Sequence, residues 1–361
     1  YFFHSVSADL RPLDLSLVPD ACDACPDKFI VEPFQVERKL AAIDVHKSVG
    51  PDEIPNWILC TFSRWLAEPI CAVFNASIRQ GVVPAAWKCA NVVPIPKVNP
   101  PAAVETDLRP ISLTSSLCKV LESFIGSWIL DEIREKLDRR QFGALKGRST
   151  THELVDIIHH WQEALDNHKS VRVVFLDYAK AYDHVDHTVV VTKMHNLGIS
   201  SILIRWVCAF LQDRKQRVKL SEVFSRWLYL KGSMPQGSWL GPLTFLMLIN
   251  DLNASCMMHK FVDDTTLSEF IARGEASRTN EYVNEVVTWS SNNQMNINYN
   301  KTKQMILGPL GKDCQNSLNI DGNDIQRLQV FKLLGVLIDD RLNWKCHVNA
   351  MCAKAASRLY F

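Results

Sequence analysis

Three carboxylates in this 361-residue chain are placed to do chemistry together: Asp177, which ends the β-branched run Val171–Leu176, and the adjacent pair Asp263–Asp264. The pair lies between Phe261-Val262 and Thr265-Thr266-Leu267, so apolar or β-branched residues flank both acids. Neighbouring carboxylates in such surroundings repel each other and lose hydration. A divalent cation removes both penalties, and Mg²⁺ prefers hard oxygen ligands while leaving room for water and phosphate oxygens. Two such ions stabilise the attacking and leaving oxygens of an in-line phosphoryl displacement. A bare Asp-Asp is ordinarily a solvated turn, because Asp bonds its own backbone there. The company the three acids keep therefore decides the reading.

The elements that must position them follow from the hydrophobic period. Val171–Leu176 reads as a strand delivering Asp177, and Phe261–Leu267 as strand–turn–strand with both acids in the turn. Further strands are expected at Gln304–Leu307, Leu318–Ile320 and Val330–Ile338, with Asp321-Gly322 a turn. Helical spacing marks a segment from Pro55 through Phe74, another from Leu117 to Leu137, and one near Val283, Val286 and Val287. Thr150-Thr151-His152-Glu153 reads as a capping box opening a helix with Leu154, Ile157, Ile158, Trp161 and Leu165 on its inner face. Val92–Asn99, cut by Pro94 and Pro96, reads as an edge strand and loop. Strands and helices alternate with hairpins mixed in, so the expected class is α+β.

Composition excludes little. With 47% hydrophobic and 22% charged residues the chain is an ordinary globular one. Its net charge of +1 means that any nucleic-acid surface must come from local segregation of Lys and Arg. Two such clusters are candidates for phosphate contacts: Arg139, Arg140, Lys146 and Arg148; and Arg214, Lys215, Arg217 and Lys219. Eleven cysteines without a regular framework suit reduced thiols in the nucleus or cytoplasm rather than a secreted scaffold. The spacing of Cys22, Cys25, Cys346, His347 and Cys352 argues for free thiols over zinc. Tyr1-Phe2-Phe3-His4 lacks the basic region and apolar run of a signal peptide, and Leu240–Ile249 is too short to span a bilayer. The opening without Met and the stop inside a helical pattern lead us to expect a piece of a longer polyprotein.

Phe261-Val262-Asp263-Asp264 resembles the aromatic-x-Asp-Asp motif of reverse transcriptases, and Phe175-Leu176-Asp177-Tyr178-Ala179-Lys180-Ala181-Tyr182-Asp183 their preceding catalytic motif. Between them, Met234-Pro235-Gln236-Gly237-Ser238 resembles the Pro-Gln-Gly segment. Downstream, Asn300-Lys301-Thr302 resembles the lysine motif, and Phe331-Lys332-Leu333-Leu334-Gly335-Val336 the primer-gripping hairpin. Upstream, Pro94-Ile95-Pro96-Lys97 and Arg109-Pro110-Ile111-Ser112-Leu113 are similar to the early fingers motifs. Gln141-Phe142-Gly143 and Gly147-Arg148-Ser149-Thr150 are similar to a segment of non-LTR (LINE-type) retrotransposons. The matches run in family order over roughly residues 50–360.

The resemblance implies a right-hand polymerase fold: an N-terminal extension over residues 1–77, fingers and a palm with an antiparallel sheet over 78–338, and the start of a helical thumb over 339–361. It implies two Mg²⁺ ions, with Mn²⁺ as a substitute, held by Asp177, Asp263, the accessory Asp264 and the Tyr178 carbonyl. Lys97 and Arg109 would contact the triphosphate of a dNTP. Tyr182 would exclude its 2′-hydroxyl, and Gln236 and Gly237 would lie under the nucleotide and templating base. Lys301 would protonate or neutralise the leaving pyrophosphate, with Lys303 as a competitor. Implied partners are an RNA template, a DNA primer and dNTPs, with an endonuclease elsewhere in the polyprotein and no membrane. Trp239 and Val262 depart from the family pattern, where a smaller aliphatic residue and Ala are usual. The readings to weigh against an active reverse transcriptase are a catalytically decayed RNA-binding scaffold and an RNA-directed RNA polymerase. Tyr182 and Val262 both favour a DNA product.

Overall fold

The computed structural model describes residues 9–20, 25–309 and 318–359. The chain forms two compact units that interleave along the sequence. The first segment, up to Leu137, carries α1 (Pro33–Ala41), α2 (Asn56–Thr61), α3 (Ser63–Gln80), β1 (Cys89–Pro96), α4 (Val104–Asp107), β2 (Leu108–Leu113) and α5 (Ser116–Ile133). Asp138–Ala179 carries α6 (Thr150–Asp166) and β3 (Ser170–Leu176). Lys180–Leu248 carries α7 (His187–Asn196), α8 (Ser201–Leu211), β4 (Lys215–Leu220), β5 (Val223–Phe224), β6 (Leu228–Tyr229) and α9 (Leu240–Leu248). The last segment carries β7 (Met257–Phe261), β8 (Asp264–Ile271), α10 (Thr279–Asn292), β9 (Lys303–Leu307), β10 (Leu318–Ile320), β11 (Asn323–Ile325), β12 (Val330–Leu333), β13 (Val336–Asp339) and α11 (Lys345–Leu359). The first and third segments form one unit, the second and fourth the other. This mixed helix and sheet content matches the expected class.

In the first unit, Ala67, Cys71, Phe74 and Ile78 of α3 are buried on one face at helical spacing. The helix expected from Pro55 to Phe74 is broken at Phe62, where the chain restarts as α3, and Gly81 ends α3 in the left-handed conformation. The sheet runs β2-β1-β4-β5, with β6 also on β4. β1 is therefore not the edge strand expected from its prolines. It pairs antiparallel with β2 and, over Cys89–Val92 alone, parallel with β4. The parallel pairing stops before Pro94, so the missing proline N–H groups fall where that side of β1 has no ladder.

In the second unit the sheet order is β7-β8-β3-β9, all antiparallel. β3 is buried along its whole length, as a central strand covered on both faces should be. Alternation puts Val171, Val173 and Phe175 on one face, packed with Leu154, Ile157 and Trp161 of α6 and Met305 and Leu307 of β9. Trp161 is fully buried and its indole N–H donates to Ser268 Oγ of β8 (2.8 Å), which ties α6 to the sheet. Phe331 of the β12–β13 hairpin stacks on Phe175, with centroids 3.9 Å apart.

The α6 start differs from the expected capping box. Ser149 is the N-cap, accepting from the His152 N–H, so the helix begins one residue earlier in its cap than the Thr150–Glu153 pattern implies. Glu153 then occupies the fourth helical position and turns inward, where it is buried.

Candidate active site

The register of the second sheet brings the three acids to one end. Leu176 pairs with Thr265, so Asp177, the next residue, follows the end of β3 beside the start of β8. Phe261 pairs with Asp264, leaving Val262-Asp263 as a two-residue hairpin turn. Asp263 is thus in the turn as expected, and Asp264 opens β8. The backbone of Asp177 is held on both sides: its carbonyl accepts from Asn298 N–H (2.8 Å) and its N–H donates to Thr302 Oγ1 (3.4 Å). Ala179 N–H donates to Asn296 O (2.8 Å), and the Tyr178 phenol is buried against Ser290.

The electrostatics are those of an unneutralised anionic site. Burial raises Asp177, offset by Lys301 and Asn298. Burial likewise raises Asp263, with Asp177 adding to it. Asp264 is pushed up to about 6, first by desolvation and then by Asp263 and Asp177. Asp264 is exposed by surface area, so solvent on its open side discounts what that shift is worth as energy. Asp177 Oδ2 is buried with no hydrogen-bond partner; its nearest cation is Lys301 Nζ at 3.7 Å. An orphaned buried carboxylate oxygen beside two further carboxylates is a hard, oxygen-only donor set that fits Mg²⁺ or Mn²⁺. Lys301 projects from a largely exposed position, whereas the Lys303 ammonium donates to the Asn300 carbonyl.

The turn itself is strained and clamped. Val262 has φ +59°, a left-handed conformation that costs a β-branched residue on the order of 1–3 kcal/mol. The segment Arg140–Gly143 runs beside β7 through Lys260 N–H to Arg140 O (2.9 Å) and Phe142 N–H to Lys260 O (2.8 Å). From it, the buried Gln141 side chain reaches the turn: Oε1 accepts from Val262 N–H (3.2 Å) and Gly143 N–H (2.8 Å). Gly143 lies so close that a Cβ there would sit 2.5 Å from the Val262 nitrogen. Lys260 is also buried, paired with Asp138 (2.7 Å) and donating to the Leu252 (2.7 Å) and Ile249 (3.1 Å) carbonyls. Burial lowers its pKa, partly offset by Asp138. Behind the acids, Glu153 is raised to about 8 by desolvation and then by Asp264 and Asp156.

A cleft of about 380 Å³ opens from this end of the sheet, lined by Asp177, Asp264, Lys301, Lys303 and, from the β12–β13 hairpin, Phe331 to Leu334. It joins the carboxylates, two lysines and the segment expected to grip a primer.

The remaining expected site residues lie in the first unit. Lys97 follows β1, its N–H donating to Asp107 O (2.7 Å), and Arg109 on β2 pairs with Ile95, so both cations sit at one end of the β1–β2 ladder. Gln236 and Gly237 lie against β2: Gln236 O accepts from Ser112 N–H (2.8 Å). Gly237 has φ +137°, and a Cβ on it would meet Ser112 O at 2.5 Å, so only glycine fits. Gln236 Nε2 donates to Asp183 Oδ1 (3.3 Å). Tyr182 stacks on Phe245 of α9 (5.2 Å between centroids), and its carbonyl accepts from Met234 N–H (2.9 Å).

A family model described as "Reverse transcriptase (RNA-dependent DNA polymerase)" matches residues 95–338, which include all of these positions. The chain belongs to the reverse transcriptase family. Among curated relatives it is 26% identical, over 91% of its length, to a probable RNA-directed DNA polymerase from transposon BS of Drosophila melanogaster. It is 24% identical, over 89% of its length, to the RNA-directed DNA polymerase from mobile element jockey of the same organism. A third relative, from type-1 retrotransposable element R1DM, is 25% identical over 89% of the chain. The chain spans about 38% of the length of the first two and 31% of the third.

Some reverse transcriptase positions differ from what the sequence suggested. Arg214 does not belong to a solvated basic cluster: it is buried, its guanidinium over the Phe210 ring (4.3 Å) and donating to Phe210 O (3.1 Å). Arg148 stacks over Phe142 and donates to the Arg139 and Gln141 carbonyls, so it shapes its own loop. Trp239 is accommodated by Gly126 of α5, where a Cβ would fall 1.8 Å from the indole. The buried Glu122 Oε2 accepts from Trp239 N–H (2.8 Å) and Leu240 N–H (3.1 Å), capping α9. Cys25, Cys346 and Cys352 are free thiols, and Cys22 lies outside the described residues. Gln141, Gly143 and Glu153 carry roles that their spacing alone did not reveal.

Proposed function

We propose that this chain is the polymerase part of a non-LTR retrotransposon reverse transcriptase, extending a DNA primer on an RNA template with dNTPs. The observation that carries the proposal is the convergence of Asp177, Asp263 and Asp264 at adjoining strand ends, with an orphaned carboxylate oxygen among them. Asp177, Asp263, Asp264 and the Tyr178 carbonyl would hold two Mg²⁺ ions, which supply charge neutralisation at the attacking 3′-hydroxyl and the departing pyrophosphate. Lys301, 3.7 Å from Asp177, is placed to neutralise or protonate pyrophosphate oxygens. Lys97 and Arg109 bind the triphosphate, Gln236 and Gly237 support the base pair, and Tyr182, braced by Phe245, blocks a 2′-hydroxyl.

The architecture we assign is a right hand: an extension over residues 1–77, fingers and palm over 78–338, and the start of a thumb over 339–361. The four-stranded sheet β7-β8-β3-β9 is the palm sheet, and α11 opens the thumb. Target-primed synthesis would take its nick from an endonuclease outside these residues. No helix among the described residues is long and apolar enough to cross a membrane. We assign the enzyme to the nucleus or cytoplasm.

Primer extension on poly(rA)/oligo(dT) with Mg²⁺ tests the activity, and competition between dNTPs and rNTPs tests the role of Tyr182. Wild type should prefer dNTPs, and Tyr182→Ala should lose most of that preference while still extending the primer. Preference for rNTPs by the wild type would identify an RNA polymerase instead.

A further inference from the structure

Beside the polymerase site, α6 and β7 bring together two imidazoles and a carboxylate that the reaction does not use. Asp156 and His160 stand one turn apart on α6, and His259 faces them from β7. Each residue offers one ligand atom, and these atoms lie within 4.8 Å of one another. His259 Nε2 is 2.7 Å from Asp156 Oδ2, and His160 Nδ1 is 2.7 Å from the Asp156 carbonyl. A carbonyl only accepts, so His160 donates from Nδ1, leaving Nε2 as the lone-pair nitrogen of the neutral ring. His259 donating from Nε2 to the carboxylate likewise leaves Nδ1 with a lone pair.

That His259 nitrogen is the anomaly. The side chain is 0% exposed, and Nδ1 has no hydrogen-bond partner. Buried polar atoms are nearly always paired, and leaving one orphaned costs on the order of 1–3 kcal/mol. Imidazoles with one N–H anchored on a carboxylate or carbonyl and the other nitrogen open are arranged as metal ligands are. Burial holds His259 towards its neutral form.

We propose that Asp156, His160 and His259 form a second metal site, for a borderline divalent ion of which Zn²⁺ is the best match. Two imidazoles and one carboxylate are the donor set such an ion prefers over Mg²⁺. With metal–ligand bonds of about 2.0–2.2 Å, a tetrahedral sphere needs ligand atoms roughly 3.3–3.5 Å apart. The cluster must therefore close by about an ångström. His160 and Asp156 are partly exposed, so both can turn, and the ion enters from their side. The fourth position is left to water. The ion fastens α6 to β7, the strand that runs into the Val262-Asp263 turn.

The test removes the catalytic ions from the measurement. Protein carrying Asp177→Asn and Asp263→Asn is stripped with chelator, loaded with Zn²⁺ and dialysed against Mg²⁺ buffer, and retained zinc is counted. Co²⁺ is loaded in parallel and its visible absorption recorded. One Zn²⁺ per chain is expected, with the intense Co²⁺ bands of a four-coordinate site. Adding His160→Ala, a partly exposed position, should weaken Zn²⁺ binding by at least about tenfold and abolish those bands; Asp156→Asn should do the same. Absence of retained zinc in the parent, or unchanged affinity in both added variants, overturns the proposal. Neither outcome depends on polymerase activity.

Discussion

Replacing Gln141 tests how the catalytic turn is held. Its Oε1 is the acceptor for both Val262 N–H and Gly143 N–H. Losing one oxygen therefore orphans two donors in a part-buried setting, at about 1–3 kcal/mol each. A combined loss of about 2–4 kcal/mol is expected for Gln141→Met, which keeps the volume and so separates lost hydrogen bonds from a cavity. Gln141→Ala adds a cavity and should cost more. The strained Val262, φ +59°, is kept left-handed by this clamp, so the turn relaxes and displaces Asp263 when the clamp is lost. In primer extension kcat should then fall by more than KM for dNTP changes. Adding Val262→Gly, which tolerates positive φ without strain, should recover part of the lost activity. Urea unfolding and steady-state kinetics measure both arms. If Gln141→Met lies within about 0.5 kcal/mol of wild type with unchanged kcat, the clamp is not what holds the turn.

Three further outcomes follow. Gly143→Ala puts a Cβ 2.5 Å from the Val262 nitrogen and should raise the Mg²⁺ concentration needed for half-maximal extension; an unchanged Mg²⁺ dependence would show that the turn absorbs the clash. Gly126→Ala should destabilise by about 1–3 kcal/mol because the indole of Trp239 occupies that space, and Trp239→Leu should restore most of the loss in a double-mutant cycle. Asp264 and Glu153 have folded pKa values raised to about 6 and about 8. Their contribution to metal-free stability is therefore full below about pH 4, near the unfolded carboxylate values, and is lost as pH rises through 6 to 8. Mg²⁺ should raise Tm at pH 8 and little at pH 5, and Glu153→Gln should flatten the upper part of that pH dependence; equal Mg²⁺ shifts at both pH values would contradict the assignment.

What was legible in the sequence was what local pattern controls. Val171–Leu176 is a strand because an unbroken β-branched run suits a position buried on both faces. The Phe261–Leu267 hairpin was legible from its flanking strands, and Asp177 was legible as the residue ending β3. Contacts between residues distant in sequence were not. β1 looked like an edge because its parallel partner β4 lies more than a hundred residues on. Glu153 looked like a capping residue, but a one-residue difference in the cap rotates it into the core. Arg214 looked like one of a basic cluster, though Phe210 and burial claim it. Gln141 was matched as part of a motif, but its grip on Val262 depends on a loop running beside β7, which no spacing encodes.

The central claim is that Asp177 and the Asp263–Asp264 pair work as one metal-holding group. The most direct measurement is the single-turnover rate of primer extension on poly(rA)/oligo(dT), over a Mg²⁺ series, for wild type, Asp177→Asn, Asp263→Asn and Asp264→Asn. Removing one member of a catalytic unit typically costs several orders of magnitude, on the order of 10³-fold or more. Asp177→Asn and Asp263→Asn should fall that far at every Mg²⁺ concentration, while Asp264→Asn, at the exposed start of β8, keeps the most activity. Extension by Asp263→Asn at the wild-type rate would contradict the claim.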